Sequence, residues 1–261
     1  MRAFACVLVA SLALVAGPAQ AAPRRVASLN LCTDELLLIL AEPGQIASVT
    51  HLSHTPAETV LWRSARRYSL NDGSLLSVAQ LRPDLVLTMG GGSGDKAGIA
   101  SRLGLRAVDL PYPQSLADVE RGIATVAAAL DRPAAGQTLL RRIAALRRSK
   151  PKAQTDTVWL GGGGRSVGAT GLSAQWMALA GLRQRALPGD RIGLEELLTR
   201  PPRLLLRSDY RTGQYSVQQS WLRHRLVRGA RARTIATDGR RWTCMGPSLI
   251  PEILRLRKVA A

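Results

Sequence analysis

Apolar positions along this chain fall into two rhythms. Short continuous apolar runs at 25–29, 46–49, 85–87 and 107–108, and again at 157–160, 204–206 and 234–236, predict strands buried on both faces. Between them the apolar residues recur at helical spacing: Leu36, Leu37 and Leu40 in one segment, with others over 56–66, 75–81, 173–180, 194–198 and 221–228. Thr33 or Asp34 is the expected cap of the first helix, and Glu42-Pro43-Gly44 its stop. Strands alternating with helices predict an α/β protein with parallel sheets, whose ligands collect at the carboxyl ends of the strands.

The stretch 115–151 interrupts this alternation with two consecutive helices. Ser115 followed by Asp118 fits a capping box, and Leu116, Val119, Ile123, Val126 and Leu130 give the first helix its stripe. Proline is tolerated in a helix's first turn but not in its interior, so Asp131-Arg132-Pro133 ends that helix and starts the next. The second carries Leu139, Ile143 and Leu146 on one side and Arg141, Arg142, Arg147 and Arg148 on the other, until Pro151 stops it. From Pro133 to Arg148 it would span roughly 24 Å, the width of a small domain.

The halves on either side echo each other. Residues 75–87 and 194–206 both run helix, Arg-Pro turn, strand. The organisation expected is therefore a leader over 1–21, an N-terminal lobe over 22–132, a connecting helix over 133–150 and a C-terminal lobe over 151–261.

The leader follows from composition. Arg2 precedes an apolar run over 3–16 that is too short to span a bilayer and ends in small residues, which reads as a secretory signal cut after Ala21. An exported, periplasmic protein of about 240 residues is expected, with cysteines Cys32 and Cys244 in an oxidising compartment. Three states are open to them: a disulfide, thiolates on a metal-containing ligand, or free thiols. The formal charge of +18 is nearly all arginine scattered over helix faces, without the aromatic interleaving of a nucleic-acid binder, so no nucleic-acid partner is expected. An anionic ligand is the interesting alternative to a merely solvated surface.

The segments 25–36 (RVASLNLCTDEL), 46–49 (IASV), 81–87 (LRPDLVL), 102–105 (RLGL) and 194–198 (LEELL) resemble, in order, the periplasmic substrate-binding proteins of ABC importers for cobalamin and ferric siderophores. The resemblance implies two Rossmann-like lobes joined by one long helix, here Pro133–Arg148, a ligand clamped between them, and a monomer that delivers it to an inner-membrane permease. It also implies one exposed glutamate per lobe that docks on that permease. Glu195 stands at the second-lobe position, whereas Leu76 stands at the first, a departure that leaves a permease-independent ligand sensor as an alternative.

The expected strand-end loops gather the candidate ligand contacts Asn30, Cys32, Thr33, His51, His54, Met89, Gly90, Gly91, Gly162, Gly163, Arg165, Tyr210 and Trp242. Glycines let a bulky ligand approach the backbone, and Tyr210 and Trp242 can stack on its flat faces. His51 and His54 can contact cobalt or iron, but no protein-held metal or cofactor is expected, since any metal belongs to the ligand. Cobalamin is the reading the motifs favour, with a ferric siderophore or haem as the alternative that Arg165, Arg207 and Arg211 would suit. The segment 92–97 matches G-x-G-x-x-A, a nucleotide fingerprint, but no catalytic constellation accompanies it and an enzyme is not expected.

Overall fold

The computed structural model describes residues 22–90, 95–210, 213 and 216–260; the expected signal segment and Gly91 lie outside them. In the first half β1 (Val26–Ser28), α1 (Leu31–Leu40), β2 (Ile46–Thr50), α2 (Trp62–Ala65), β3 (Ser69–Asn71), α3 (Leu75–Ala79), β4 (Leu85–Met89), α4 (Asp95–Arg102) and β5 (Ala107–Leu110) build a five-stranded sheet in the order β3-β2-β1-β4-β5. Every pairing in it is parallel. Then come α5 (Leu116–Ala129) and α6 (Pro133–Arg148). The second half contains β6 (Thr155–Leu160), α7 (Leu172–Leu179), β7 (Leu182–Gln184), α8 (Leu194–Thr199), β8 (Leu204–Ser208), α9 (Val217–Leu222), α10 (Arg225–Arg228), β9 (Arg233–Thr237), α11 (Arg241–Cys244) and α12 (Leu249–Ala260). Its four strands are also parallel, in the order β7-β6-β8-β9.

The α/β expectation holds because the central strands are sealed on both faces: Val26, Leu85, Val86, Leu87 and Val158 have no exposed surface. Edge strands were the harder ones to see. β3 is mostly exposed and β7 carries Arg183 and Gln184, so neither shows an apolar run. Gln184 spends its amide within the sheet, its Oε1 accepting from the Trp159 N–H at 2.9 Å. The repeated helix–turn–strand unit occupies equivalent places, α3 leading to β4 beside β1 and α8 leading to β8 beside β6.

Several local expectations are corrected. Asn30, not Thr33 or Asp34, caps α1, its Oδ1 accepting from the Cys32 N–H at 2.8 Å. Ser115 caps α5 as expected, but Asp118 returns to the Gln114 N–H rather than to that of Ser115. The helix expected over 56–66 shrinks to α2, the residues before it being turns, and that over 221–228 breaks before His224, whose Nδ1 accepts from the Leu226 N–H to start α10. The expected loop over 241–247 begins as the short helix α11.

α6 is one uninterrupted helix of 16 residues whose buried side is Gly136, Leu139, Ile143 and Leu146. It crosses α5 closely, since a Cβ at Gly136 would stand 2.6 Å from that of Ala127. Its last turn is tied to the second lobe by Arg257 of α12, which donates to the Leu146 carbonyl at 2.7 Å. The lobes also share a core, with Leu37, Ile143, Trp176 and Leu249 in one contiguous cluster. No described helix is long and apolar enough to cross a membrane.

Candidate ligand site between the lobes

In each sheet the chain reverses its direction of travel across the strands at one place, between β1 and β4 in the first and between β6 and β8 in the second. Loops leaving the carboxyl ends of such strands part from each other and leave a crevice. In the second lobe that crevice is a cavity of about 370 Å³ walled by Trp159, Gly161, Gly162, Tyr210 and Trp242. Trp242 is not the open stacking face expected of it. It is 5% exposed, its indole N–H donates to Thr237 Oγ1 at 2.9 Å, and its ring meets Trp159 edge-on at 4.6 Å. It forms a rigid back wall. Gly162 is needed for packing, because a Cβ there would come within 3.2 Å of Gln218, and Gly163 holds a left-handed φ of 68°.

Tyr210 lines this cavity. Its hydroxyl donates to Glu58 Oε2 of the first lobe at 2.7 Å, and Arg240 reaches the Pro56 carbonyl at 2.9 Å. The two contacts latch the β2 loop onto the β8 and β9 loops. Beyond Tyr210 lies a second hollow of about 370 Å³, bounded by Pro56, Asp209, Asp238 and Arg240. Burial pushes the Asp238 carboxyl up, but hydrogen bonds and charge from Arg240 outweigh it and hold it below the usual carboxylate range. The same hydrogen bonds raise Arg240. The latch cation is therefore permanently charged.

On the first lobe, His51 is exposed, while His54 is half-buried with an Nε2 that is shielded from water and has no hydrogen-bond partner. Asn30 is engaged as the α1 cap. Thr33, expected in the cleft, is fully buried and its hydroxyl is shared with Ser28 Oγ at 2.7 Å and the Asn30 carbonyl at 2.9 Å, so its role is structural. Gly90 extends the β4–β5 ladder by donating to the Leu110 carbonyl at 2.9 Å. Arg165 is exposed and borders a different hollow with Asp190 and Arg191. Cys32 and Met89 line a third cavity, of about 200 Å³.

Cys32 and Cys244 are bonded to each other, with Cα atoms 5.2 Å apart. Of the three states open to them this settles on the disulfide, and it joins the first lobe to the second. Next to it, Glu35 of α1 accepts from the Ser248 N–H at 2.9 Å. Burial pushes its carboxyl up to about 7 against the pull of Ser248 and Arg241, and burial likewise pushes Asp34 up to about 6 against hydrogen bonds that include those of Ser53 and Thr50. Asp34 was expected only as a helix cap, and Glu35, Glu58 and Arg240 were not singled out from the sequence: nothing in a pattern of isolated polar residues says which of them meet across a gap. Glu35 stood inside a motif of the resemblance, and that was the signal available.

No family model and no curated protein matches the chain by sequence. Solved structures do match it by shape. The periplasmic heme-binding protein BhuT in complex with two hemes superposes with a TM-score of 0.67 at 20% identity, over 90% of this chain and 96% of that one. The fold is that of periplasmic binding proteins. Within that fold a periplasmic heme-binding protein from Pseudomonas aeruginosa matches with a TM-score of 0.66 at 18% identity, over 91% of this chain and 92% of that one. The periplasmic vitamin B12 binding protein BtuF of Vibrio cholerae matches with a TM-score of 0.63 at 14% identity, over 90% and 96%. The two-lobed, helix-joined α/β architecture is thus established for this chain.

Proposed function

We propose that this chain is the exported substrate-binding component of an ABC importer, and that its ligand is a metal tetrapyrrole held between the lobes. The observation that carries the reading is the aromatic and glycine-lined cavity at the second lobe's crevice, latched by Tyr210 and Arg240 to the first lobe. Flat apolar walls suit a macrocycle's faces, and the paired groups of the latch suit its polar rim once they are released. Opening the latch would join the two hollows that share Tyr210 into one site. Binding, not catalysis, is what such a site does.

A corrinoid is the first reading, from the sequence motifs. Haem is the second; His54 carries an unpartnered Nε2 of the kind that ligates iron, but that atom is shielded and borders neither hollow, so it would have to be uncovered first. Delivery to a permease rests on Glu195, exposed in the first turn of α8. The test is titration of the purified protein with cyanocobalamin, haemin and a ferric catecholate, followed by visible absorption and calorimetry. Cyanocobalamin or haemin is expected to bind at micromolar concentration or tighter. Absence of heat and of any spectral change with both, or binding of the catecholate alone, overturns the reading.

A further inference from the structure

The crevice occupies the carboxyl ends of the second lobe's strands, and the amino ends of the same strands carry a different chemistry. There β6 is entered through Lys150 and Lys152, β8 through Arg200 and Arg203, and β9 through Arg231 and Arg233, all of them exposed. Contacts hold these starts together. The Arg233 N–H donates to the Arg203 carbonyl at 3.2 Å, and the Arg233 guanidinium reaches the Val259 carbonyl in the last turn of α12. Arg257 in turn ties α12 to Ser149 Oγ, at the end of α6, at 2.8 Å. The exposed Lys258 therefore joins the same face.

The sign of this face is uniform. Two acids come near it, Asp156 and Glu196, and both pair with Arg185, which also donates to the Arg200 carbonyl at 2.6 Å. The lobe's other acids are placed elsewhere: Asp190, Asp209 and Asp238 follow β7, β8 and β9, Glu195 starts α8, and Glu252 is buried against Arg255. Among the described residues none of the cations on the face has an ion pair. The corresponding end of the first lobe mixes signs, with Arg132 paired to Glu42 and Asp84 accepting from the N–H groups of Arg24 at 2.7 Å and Arg25 at 3.1 Å. Neighbouring strands lie about 4.8 Å apart, so Arg203 and Arg233 repel each other well inside the roughly 8 Å Debye length of physiological salt. An anionic partner relieves that repulsion.

Shape selects the partner. None of the hollows described above is lined by these side chains, so the face does not enclose a small anion. Nor does it offer bases a stacking platform. The lobe's described aromatics lie elsewhere: Trp159, Tyr210 and Trp242 wall the crevice, Trp176 is fully buried and Trp221 packs on Gly164. We infer that the amino-end face of the second lobe is a docking surface for an anionic bilayer, an extended layer of headgroup phosphates that basic clusters recognise by charge. Because the crevice and Glu195 lie at the opposite end of the same lobe, a bilayer on this face leaves both unobstructed. This inference rests neither on the tetrapyrrole reading nor on delivery to an importer.

The test is co-sedimentation of the full mature chain with vesicles of phosphatidylglycerol mixed into phosphatidylcholine. Binding is expected to the mixed vesicles and not to phosphatidylcholine alone, and it should weaken steeply as salt is raised. Lys150→Gln, Lys152→Gln, Arg203→Gln and Arg231→Gln combined should weaken it at least about tenfold. Arg24→Gln, Arg63→Gln, Arg67→Gln and Arg102→Gln combined remove the same net charge from exposed positions of the first lobe and should change it less than about twofold. A second readout needs no variant: on the vesicle-bound wild type, Lys150, Lys152 and Lys258 should be shielded from acetylation, while Lys96 of α4 reacts as it does without vesicles. Inorganic phosphate at matched ionic strength should not compete. No binding to the mixed vesicles, equal losses in the two combined variants, unshielded lysines, competition by phosphate, or tighter binding to a DNA duplex than to the vesicles overturns the inference. No tetrapyrrole and no permease enters these measurements, so their failure is distinct from failure of the proposed function.

Discussion

Glu35 accepts a hydrogen bond from the backbone N–H of Ser248 at 2.9 Å, across the junction of the two lobes and away from water. Gly246 makes the approach possible, since a Cβ there would stand 2.5 Å from the Glu35 carboxylate. The contact lies three residues from the disulfide in α1 and one residue before α12. It also ties stability to pH.

The sign follows from burial. The folded carboxyl titrates at about 7 against an ordinary 4.5, so folding binds a proton between those values and stability falls as pH rises from about 4.5 to about 7. A shift of that size corresponds to about 3 kcal/mol. Asp34, pushed up to about 6, adds in the same direction. Glu35→Gln keeps an acceptor for Ser248 and removes the titration, so it should be more stable than the wild type at pH 8 by about 1–3 kcal/mol and nearly equal at pH 4.5. Urea unfolding at both pH values checks this; an unchanged difference between them would exclude Glu35 as the source.

The disulfide closes a loop of 212 residues' separation, so its loss releases much of the unfolded chain's entropy. Replacing both cysteines by serine should lower stability by about 2–5 kcal/mol. It should also let the lobes part. Small-angle scattering is expected to show a larger radius of gyration for the double variant, and identical curves would mean that the shared core alone fixes the lobes.

Tyr210→Phe removes the phenolic donor to Glu58 while keeping the ring in the cavity wall. The expected loss of global stability is about 1 kcal/mol. Local opening should change more: amides over 55–61 should exchange their hydrogens faster than in the wild type. Unchanged exchange there would show that the latch holds without the Tyr210 hydroxyl.

Two helix glycines should respond oppositely to alanine. At Gly122 the new methyl meets only Leu110 Cδ1, at an ordinary 3.9 Å, and the helix gains about 0.5–1 kcal/mol. At Gly136 it meets Ala127 Cβ at 2.6 Å, forcing α5 and α6 apart at a loss of about 1–3 kcal/mol. Chemical denaturation of the two variants side by side distinguishes them.

Glu195→Ala should lower uptake in cells without altering ligand affinity, because the carboxylate is exposed on α8, an element that lends no wall to the crevice. Leu76, 84% exposed on the equivalent helix α3, offers no carboxylate to compensate. Uptake at the wild-type rate would remove Glu195 from the docking surface.

The sequence was most legible where one residue type fulfils one local need. Pro133 and Ser115 start α6 and α5 where expected, because a missing N–H and a hydroxyl cap act within a single turn. Buried strands showed as apolar runs, whereas β3, mostly exposed, and β7, with Arg183 and Gln184 in its three residues, did not. Site residues were harder. Asn30 and Thr33 carry the groups that a ligand contact needs, yet those groups are spent on their own helix start. Glu58 and Tyr210, 152 positions apart, become partners through the stacking of two lobes.

By itself, then, the sequence determined two α/β halves, a long helix between them and an echo that makes the halves alike, since periodicity, capping and proline placement act over a few residues. The tertiary structure alone decided that Cys32 bonds Cys244, that Glu35 meets Ser248 and that Tyr210 latches onto Glu58. Those contacts depend on how two separately wound sheets are set against each other. That orientation is held by the shared core, the α5–α6 crossing and the Cys32–Cys244 bridge, and it leaves no local trace in the chain.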